Sequence, residues 1–246
     1  MIPKFNYLFL PTIFVTMNSR LLLFLAIVLL SVKSEAQVQF AYYAGVQATS
    51  ALYKVADVKQ PTQFKPGFMA GMSAKVEFDN QLYFFPSVFY NLKGYKVTLN
   101  NPAFPPTEYA LNNNVTVHTV EFAPLLHYDF NKKLAHFFVR FGPSVDVAIN
   151  GHEQFDTSGS SGKIATVSRP MNFAFTEYGR FTAQANLHFG YETGKGLYVY
   201  TYYQHGFGSM NNHDGGPQIF HRIVGVSVGW LFGKNPLVMD TRPITK

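Results

Sequence analysis

Cysteine is absent from the 246 residues. That excludes disulfides, thiolate metal centres, cysteine nucleophiles and a lipid-modified N-terminal cysteine. Charge is also scarce, at 14% of the chain, where a soluble domain carries about 25%. So few charges make a fully water-facing surface hard to build. The basic residues are scattered, with only Lys132 and Lys133 adjacent. A nucleic-acid footprint needs a clustered patch, so no nucleic acid is expected as a partner. Long apolar runs are missing too. Leu21 to Leu30 spans ten residues, where a bilayer-spanning helix needs about 20.

What the chain has is apolar and aromatic residues in patterned order. Phe and Tyr number 25 and 15, and hydrophobic residues reach 47%. The run at Leu21 to Leu30 follows Arg20 and precedes Ser34-Glu35-Ala36-Gln37. A positive flank, an apolar core and small residues at a cleavage site describe a secretory signal peptide, here cleaved after Ala36. Residues 1–16 form a second apolar stretch, and a start at Met17 would give a signal of ordinary length. The chain thus divides into an N-terminal extension and signal (1–36), a barrel domain (37–233) and a C-terminal tail (234–246).

The clearest patterning runs from Val115 to Asn150. In its first half Val120, Phe122, Pro124, Leu126, Tyr128 and Phe130 alternate with Thr119, Glu121, Ala123, Leu125, His127 and Asp129. In its second half Phe137, Val139, Phe141, Val145, Val147 and Ile149 alternate with His136, Phe138, Arg140, Ser144, Asp146 and Asn150. A sustained period of two means strand, and the polar Asn131–Leu134 segment between the halves makes a hairpin. Pairing Phe130 with Ala135 would bring the two polar faces together and set Asp129 opposite His136. The same alternation appears at residues 37–50, 67–78, 81–95, 180–192, 197–210 and 220–232, which makes eight strands in all. Short turns at Asp79-Asn80, Asn131–Leu134 and Thr193–Gly196 alternate with long loops at 51–66, 96–114, 151–179 and 211–219.

Eight antiparallel strands with short turns at one end and long loops at the other are the pattern of an up-and-down transmembrane β-barrel. All backbone groups must pair in lipid, so the sheet must close. After export, the turns fall in the periplasm and the loops outside. The rival is a soluble, lipocalin-like ligand-binding barrel, which would bury the apolar face. The low charge and the small residues of the polar face (Gly71, Gly142, Gly190, Gly225 and Gly229) favour apolar out and polar in. Pro86, Pro124 and Pro143 inside strands each remove a ladder donor and are expected to sit at bulges.

Several segments also resemble the PorT-like outer-membrane β-barrel family of Bacteroidota. They are Gly67-Phe68 with Gly71, Asn91-Leu92-Lys93-Gly94-Tyr95-Lys96, Val120-Glu121-Phe122-Ala123-Pro124-Leu125-Leu126, Phe141-Gly142-Pro143 and Gly190-Tyr191-Glu192. The resemblance spans about Gln37 to Gly233. It implies an outer-membrane location with lipid as the solvent, and insertion by the barrel-assembly machinery. It also implies envelope or type IX secretion-system proteins as partners. The first strand keeps only Gly45 of the family's Gly-x-Lys-x-Gly pattern.

The polar face should place Lys75, Glu77, Lys93, Glu121, His127, Asp129, His136, Arg140, Asp146, Arg180, His188 and Glu192 in the lumen. His127, Asp129 and His136 gather at one hairpin end and would suit a proton or metal site. An eight-stranded barrel is just wide enough for side chains to fill, and buried charges must be paired. A paired polar plug, with Glu121, Asp146, Arg140 and Lys75 among its members, is therefore the expected reading. No cofactor, metal or catalytic site is assigned. A lipid-modifying enzyme is the alternative, with His118 or His205 as base. Ser87 and Ser144 point into the lumen, away from lipid, and no nucleophile–base–orienter set appears at workable spacing. Loops on a rigid scaffold carry binding, so an interaction role falls to the long loops.

Overall fold

The computed structural model describes residues 38–158 and 162–233. Residues 1–37, where the signal peptide is expected, the tail 234–246 and residues 159–161 of one long loop lie outside the described residues. Eight long strands form the wall: β1 (Val38–Val55), β2 (Lys65–Asp79), β3 (Leu82–Thr98), β4 (Asn112–Asp129), β5 (His136–Ser158), β6 (Phe181–Glu192), β7 (Leu197–Gly206) and β8 (Gln218–Phe232). Each pairs antiparallel with the next, and β8 returns to β1 from Phe40↔Phe232 to Lys54↔Gln218. That last ladder leaves the sheet without an edge, as a lipid environment demands. Three short strands, Val58–Lys59, Thr62–Gln63 and Ile164–Pro170, add to the ring at its loop end.

The two faces are as the alternation requires. On β4 and β5, Phe122 and Phe137 are 50% and 51% exposed, while Phe138 and Arg140 are buried. The same outward band continues through Phe40, Tyr42 and Val46, then Met72, Val88, Leu187, Phe189, Val226, Val228 and Trp230. A contiguous apolar belt of this size is not compatible with water. It excludes the lipocalin-like alternative, in which the apolar face would line the interior. The interior is narrow, and glycines make room in it. A side chain at Gly229 would run into the ring of Tyr198, and one at Gly225 into that of Tyr202.

Three expectations need correction. The β4–β5 hairpin pairs Asp129 with Phe138 and His127 with Arg140, two residues on from the expected register. Parity, and hence the facing of every side chain, is kept. The turn is wider because Asn131 accepts a hydrogen bond from the Lys133 backbone (2.9 Å) and His136 Nδ1 bonds the Lys133 carbonyl (2.7 Å). The prolines do not produce bulges. Around Pro86 the β2–β3 ladder is interrupted between Ser73↔Ser87 and Val76↔Phe84, and around Pro124 and Pro143 the β4–β5 ladder is interrupted between Phe122↔Val145 and Leu126↔Phe141. The register is unchanged across each gap. A missing donor costs one ladder bond, whereas a one-residue slip would turn a whole strand inside out. The register shifts fall instead at Glu77/Asp79 and at His118/Thr119.

The second shift reorganises the loop end. Thr119 pairs with Ala148 but His118 pairs with Asn150, so Ile149 is left without a partner. One extra residue in a strand reverses its facing beyond the bulge. Asn150 therefore turns outward, and Gly151, Glu153 and Phe155 turn inward. β5 runs on to Ser158 instead of ending at Asn150, and β1 runs to Val55 instead of Ser50.

Candidate functional site

The polar lumen begins at the periplasmic rim, where strand ends converge. Asp129 closes β4, His136 opens β5, Glu192 closes β6, and Lys75 approaches from β2. The Lys75 ammonium bridges Asp129 Oδ2 (2.9 Å) and Glu192 Oε2 (3.0 Å), with all three side chains buried. Arg140 Nε donates to His127 Nδ1 (2.7 Å), which leaves the hydrogen on Nε2, facing Asp129 Oδ1 at 2.5 Å. His136 gives its Nδ1 hydrogen to the Lys133 carbonyl. Its Nε2 lies 2.8 Å from Asp129 Oδ1 and 3.6 Å from Glu192 Oε2, without hydrogen-bond geometry to either. The His136–Asp129 contact is diagonal, since the residue opposite Asp129 is Phe138. One ligand atom each from His127, Asp129, His136 and Glu192 lies within 4.8 Å of the others. Among the described residues these four converge, but both ring nitrogens of His127 are already engaged, which leaves His136, Asp129 and Glu192 with the geometry to hold a cation.

Above this rim sits Arg140, the largest buried side chain of the lumen. The expected carboxylate partner is not there. The guanidinium instead lies 3.8 Å from the ring centre of Phe85, 4.2 Å from Phe138, 4.8 Å from Tyr198 and 5.4 Å from Tyr200. Ring faces attract a cation, more strongly when water is excluded. His188 is buried beside this cage and stacks on Tyr200 at 5.0 Å. Near mid-height, Lys93 donates to Asp146, which also accepts from Thr182 (2.9 Å) and Gln184. Glu121 takes only neutral donors: Ser144 (2.5 Å), Gln204 (3.1 Å) and Asn91 (3.2 Å). Gln47 carries the network on to Asn91 (2.6 Å) and Tyr202 (2.8 Å). The sequence placed Lys75, Lys93, Glu121, His127, Asp129, His136, Arg140, Asp146, His188 and Glu192 inside, and all are buried.

Two residues depart from that expectation. Arg180 is exposed. By parity it would face inward, but the β5–β6 ladder ends at Val147↔Phe181 and the interior beyond it is apolar. Its guanidinium turns out over the ring of Phe173 (5.4 Å). Glu77 is only half-buried, because it lies next to the Glu77/Asp79 register shift at the rim.

The loop half of the interior is a different material. Tyr53, Tyr95, Val97, Val115, Val117, Phe155 and Ile219 from the wall pack with Ala103, Met171, Tyr178 and Met210 from the loops. One carboxylate lies among them. Glu153 accepts from Tyr178 Oη (2.6 Å), Asn113 Nδ2 (3.1 Å) and Arg169 Nε (2.8 Å). Burial pushes the Tyr178 hydroxyl well above its usual range, so it remains a donor. Arg169 also reaches the Pro106 carbonyl (3.1 Å), joining two loops to the barrel. Sequence reasoning missed Glu153 because the parity change at Ile149 hides the inward face of β5, and it missed Arg169 and Tyr178 because they lie in the segment read as a loop.

Groups considered for catalysis are separated. Ser87 bonds the Phe85 carbonyl and Ser144 bonds Glu121. His118 bonds Tyr90 (2.5 Å) and His205 bonds Tyr203 (3.0 Å). An exposed contact joins His152 Nε2 to Ser168 Oγ (2.7 Å), but among the described residues no carboxylate orients that imidazole. A triad requires the orienting third group.

Among solved structures the chain is similar to three proteins: the attachment invasion locus protein Ail, Neisserial surface protein A and the outer membrane protein OprG. With Ail of Yersinia pestis it shares 10% identity over 79% of this chain and 99% of that one, at a TM-score of 0.39. With Neisserial surface protein A the values are 12%, 78%, 99% and 0.38. With OprG of Pseudomonas aeruginosa they are 9%, 81%, 98% and 0.42. No curated protein matches the chain. The family described as "Outer membrane protein beta-barrel domain" matches residues 31–212. With its closed eight-stranded ring and its lipid-facing belt, the chain belongs to that outer-membrane β-barrel family.

Proposed function

We propose that this outer-membrane barrel is a closed, non-enzymatic protein with a structural or interaction role. The observation that carries the reading is the filled interior. Charged and aromatic side chains occupy the periplasmic half and an apolar cluster the extracellular half. Such a barrel offers its surroundings two surfaces, the extracellular loops and the periplasmic rim. The resemblance to PorT-like proteins of Bacteroidota supports partners in an envelope or type IX secretion assembly. It also supports export by a cleaved signal peptide and insertion by the barrel-assembly machinery.

Purified barrel in planar bilayers is expected to show no steady open conductance. A stable open level would overturn the closed-lumen reading. Crosslinking in intact cells followed by mass spectrometry is expected to recover envelope proteins through loop or rim residues. The lipid-modifying alternative predicts a changed lipid A mass profile when the gene is deleted; an unchanged profile is expected here.

A further inference from the structure

We propose that the periplasmic rim of the lumen is a binding site for one divalent transition-metal ion, ligated by His136 Nε2, Asp129 and Glu192. The inference is independent of the partner proteins and of whether the lumen conducts. It starts from His136, which is 1% exposed. Its Nδ1 hydrogen is committed to the Lys133 carbonyl at 2.7 Å. A neutral imidazole then carries a lone pair on Nε2, and two carboxylate oxygens flank that nitrogen off the lone-pair axis, at 2.8 and 3.6 Å. Among the described residues Nε2 has no hydrogen-bond partner. Lys75 meets Asp129 Oδ2 and Glu192 Oε2, and the space beside Nε2 and Asp129 Oδ1 is filled by a proton on Nε2 or by a metal ion that replaces it. A backbone carbonyl on the far nitrogen is also the arrangement that orients metal-bound histidines.

The spacing fits. Ligand atoms bound at roughly 2.0–2.1 Å in tetrahedral geometry lie about 3.3 Å apart, and 2.8 and 3.6 Å bracket that value. The position fits as well. His136, Asp129 and Glu192 are each the first or last residue of a strand, so the buried cluster lies at the rim and not in the middle of the core. One imidazole and two carboxylates suit Zn²⁺, Mn²⁺ or Fe²⁺ better than soft or purely oxygen-seeking ions. Water completes the shell.

His127 is a positioning residue. Arg140 occupies its Nδ1, so its Nε2 carries hydrogen and holds Asp129 Oδ1 at 2.5 Å. Lys75 is the competitor. Its ammonium sits on Asp129 Oδ2 and Glu192 Oε2. The ion can share Asp129 through Oδ1, but it must contend with Lys75 for Glu192 Oε2. Loss of Lys75 should therefore strengthen metal binding, which a plug held together by lysine would not do.

The test uses the untagged full chain, folded in detergent and stripped with chelator. Zn²⁺ is titrated by calorimetry, and Co²⁺ is followed by its visible absorption. One ion per chain is expected. His136→Ala and Asp129→Asn should each weaken binding by about 100-fold, at or beyond the upper end of the second-shell range. Lys75→Met should tighten it, and His188→Ala, which alters a buried histidine outside the cluster, should change nothing. Gel mobility before and after heating checks that each variant is folded. Should His136→Ala fail to fold, X-ray absorption on the Zn²⁺-loaded wild type reads the shell directly, with one imidazole and carboxylate oxygens expected. Absence of saturable binding, wild-type binding by folded His136→Ala, or a shell without imidazole would each overturn the proposal.

Discussion

The two halves of the lumen are built on opposite rules. In the periplasmic half the wall presents Phe122, Phe137, Val145 and Val226 outward, and encloses Lys75, Asp129, Arg140 and Glu192. In the extracellular half the wall turns His152 and Gln154 outward and encloses Tyr53, Val115, Val117 and Phe155. The first half is surrounded by lipid, which accepts apolar side chains and leaves the polar ones to satisfy one another inside. The second half stands in water and packs like a soluble barrel. On β5 the change is made by a single residue, Ile149, at the bulge opposite His118 and Thr119. One strand thus serves two solvents by shifting its phase where they meet.

Inserting one alanine after Asn150 attacks that comparison most directly. Beyond the insertion Glu153 and Phe155 would face water while His152 and Gln154 would face the core. The belt below the bulge is untouched. The expected outcome is a barrel that still inserts and shifts on heating, but whose loops are cut rapidly by protease; unchanged protease resistance would count against two separate packing regimes. Next in size is Lys93→Met at the boundary. Asp146 keeps its Thr182 and Gln184 donors but loses its cation. Breaking a buried pair from one side costs about 3–5 kcal/mol, measurable as a lowered urea midpoint in detergent.

Arg169→Ala is smaller because Arg169 is partly exposed. It removes a hydrogen bond to the charged Glu153, worth about 1.5–3 kcal/mol before solvent screening reduces it. Faster cleavage within residues 159–180, with unchanged barrel unfolding, is the expected result. The smallest effect concerns Asp156, beyond the membrane on β5. Hydrogen bonds from the Thr166 hydroxyl and the Asn112 amide hold its carboxyl below the usual range. A lowered value in the folded state stabilises the Ile164–Pro170 ribbon above the ordinary Asp value of about 3.9, and this is lost as pH falls through the folded value. Amide exchange in the ribbon should rise below that point, and Thr166→Ala should shift the onset upward.

The strands were legible from sequence wherever one face meets lipid and the other meets the lumen, because strict alternation of Phe, Val and Leu with polar residues leaves one reading. β1, β3 and β5 were read short at their extracellular ends. There Val97 and Phe155 point inward between polar neighbours, and the pattern looks like loop. The rim cluster was partly visible, since His127, Asp129 and His136 lie within one hairpin. Glu192 and Lys75 joined it only in space; Lys75 bonds partners 54 and 117 positions away.

By itself, the sequence determined that eight strands close with apolar residues outward, since period-two patterning and low charge admit one solvent for each face. It also determined most of the charges that are buried in the lipid-facing half, while Arg180, Glu77 and Glu153 departed from it. Which charges meet was decided by the closed tertiary structure. Strand tilt brings together residues from non-neighbouring strands across a lumen only a few side chains wide. So Arg140 found rings instead of a carboxylate, and Lys93 rather than Arg140 took Asp146.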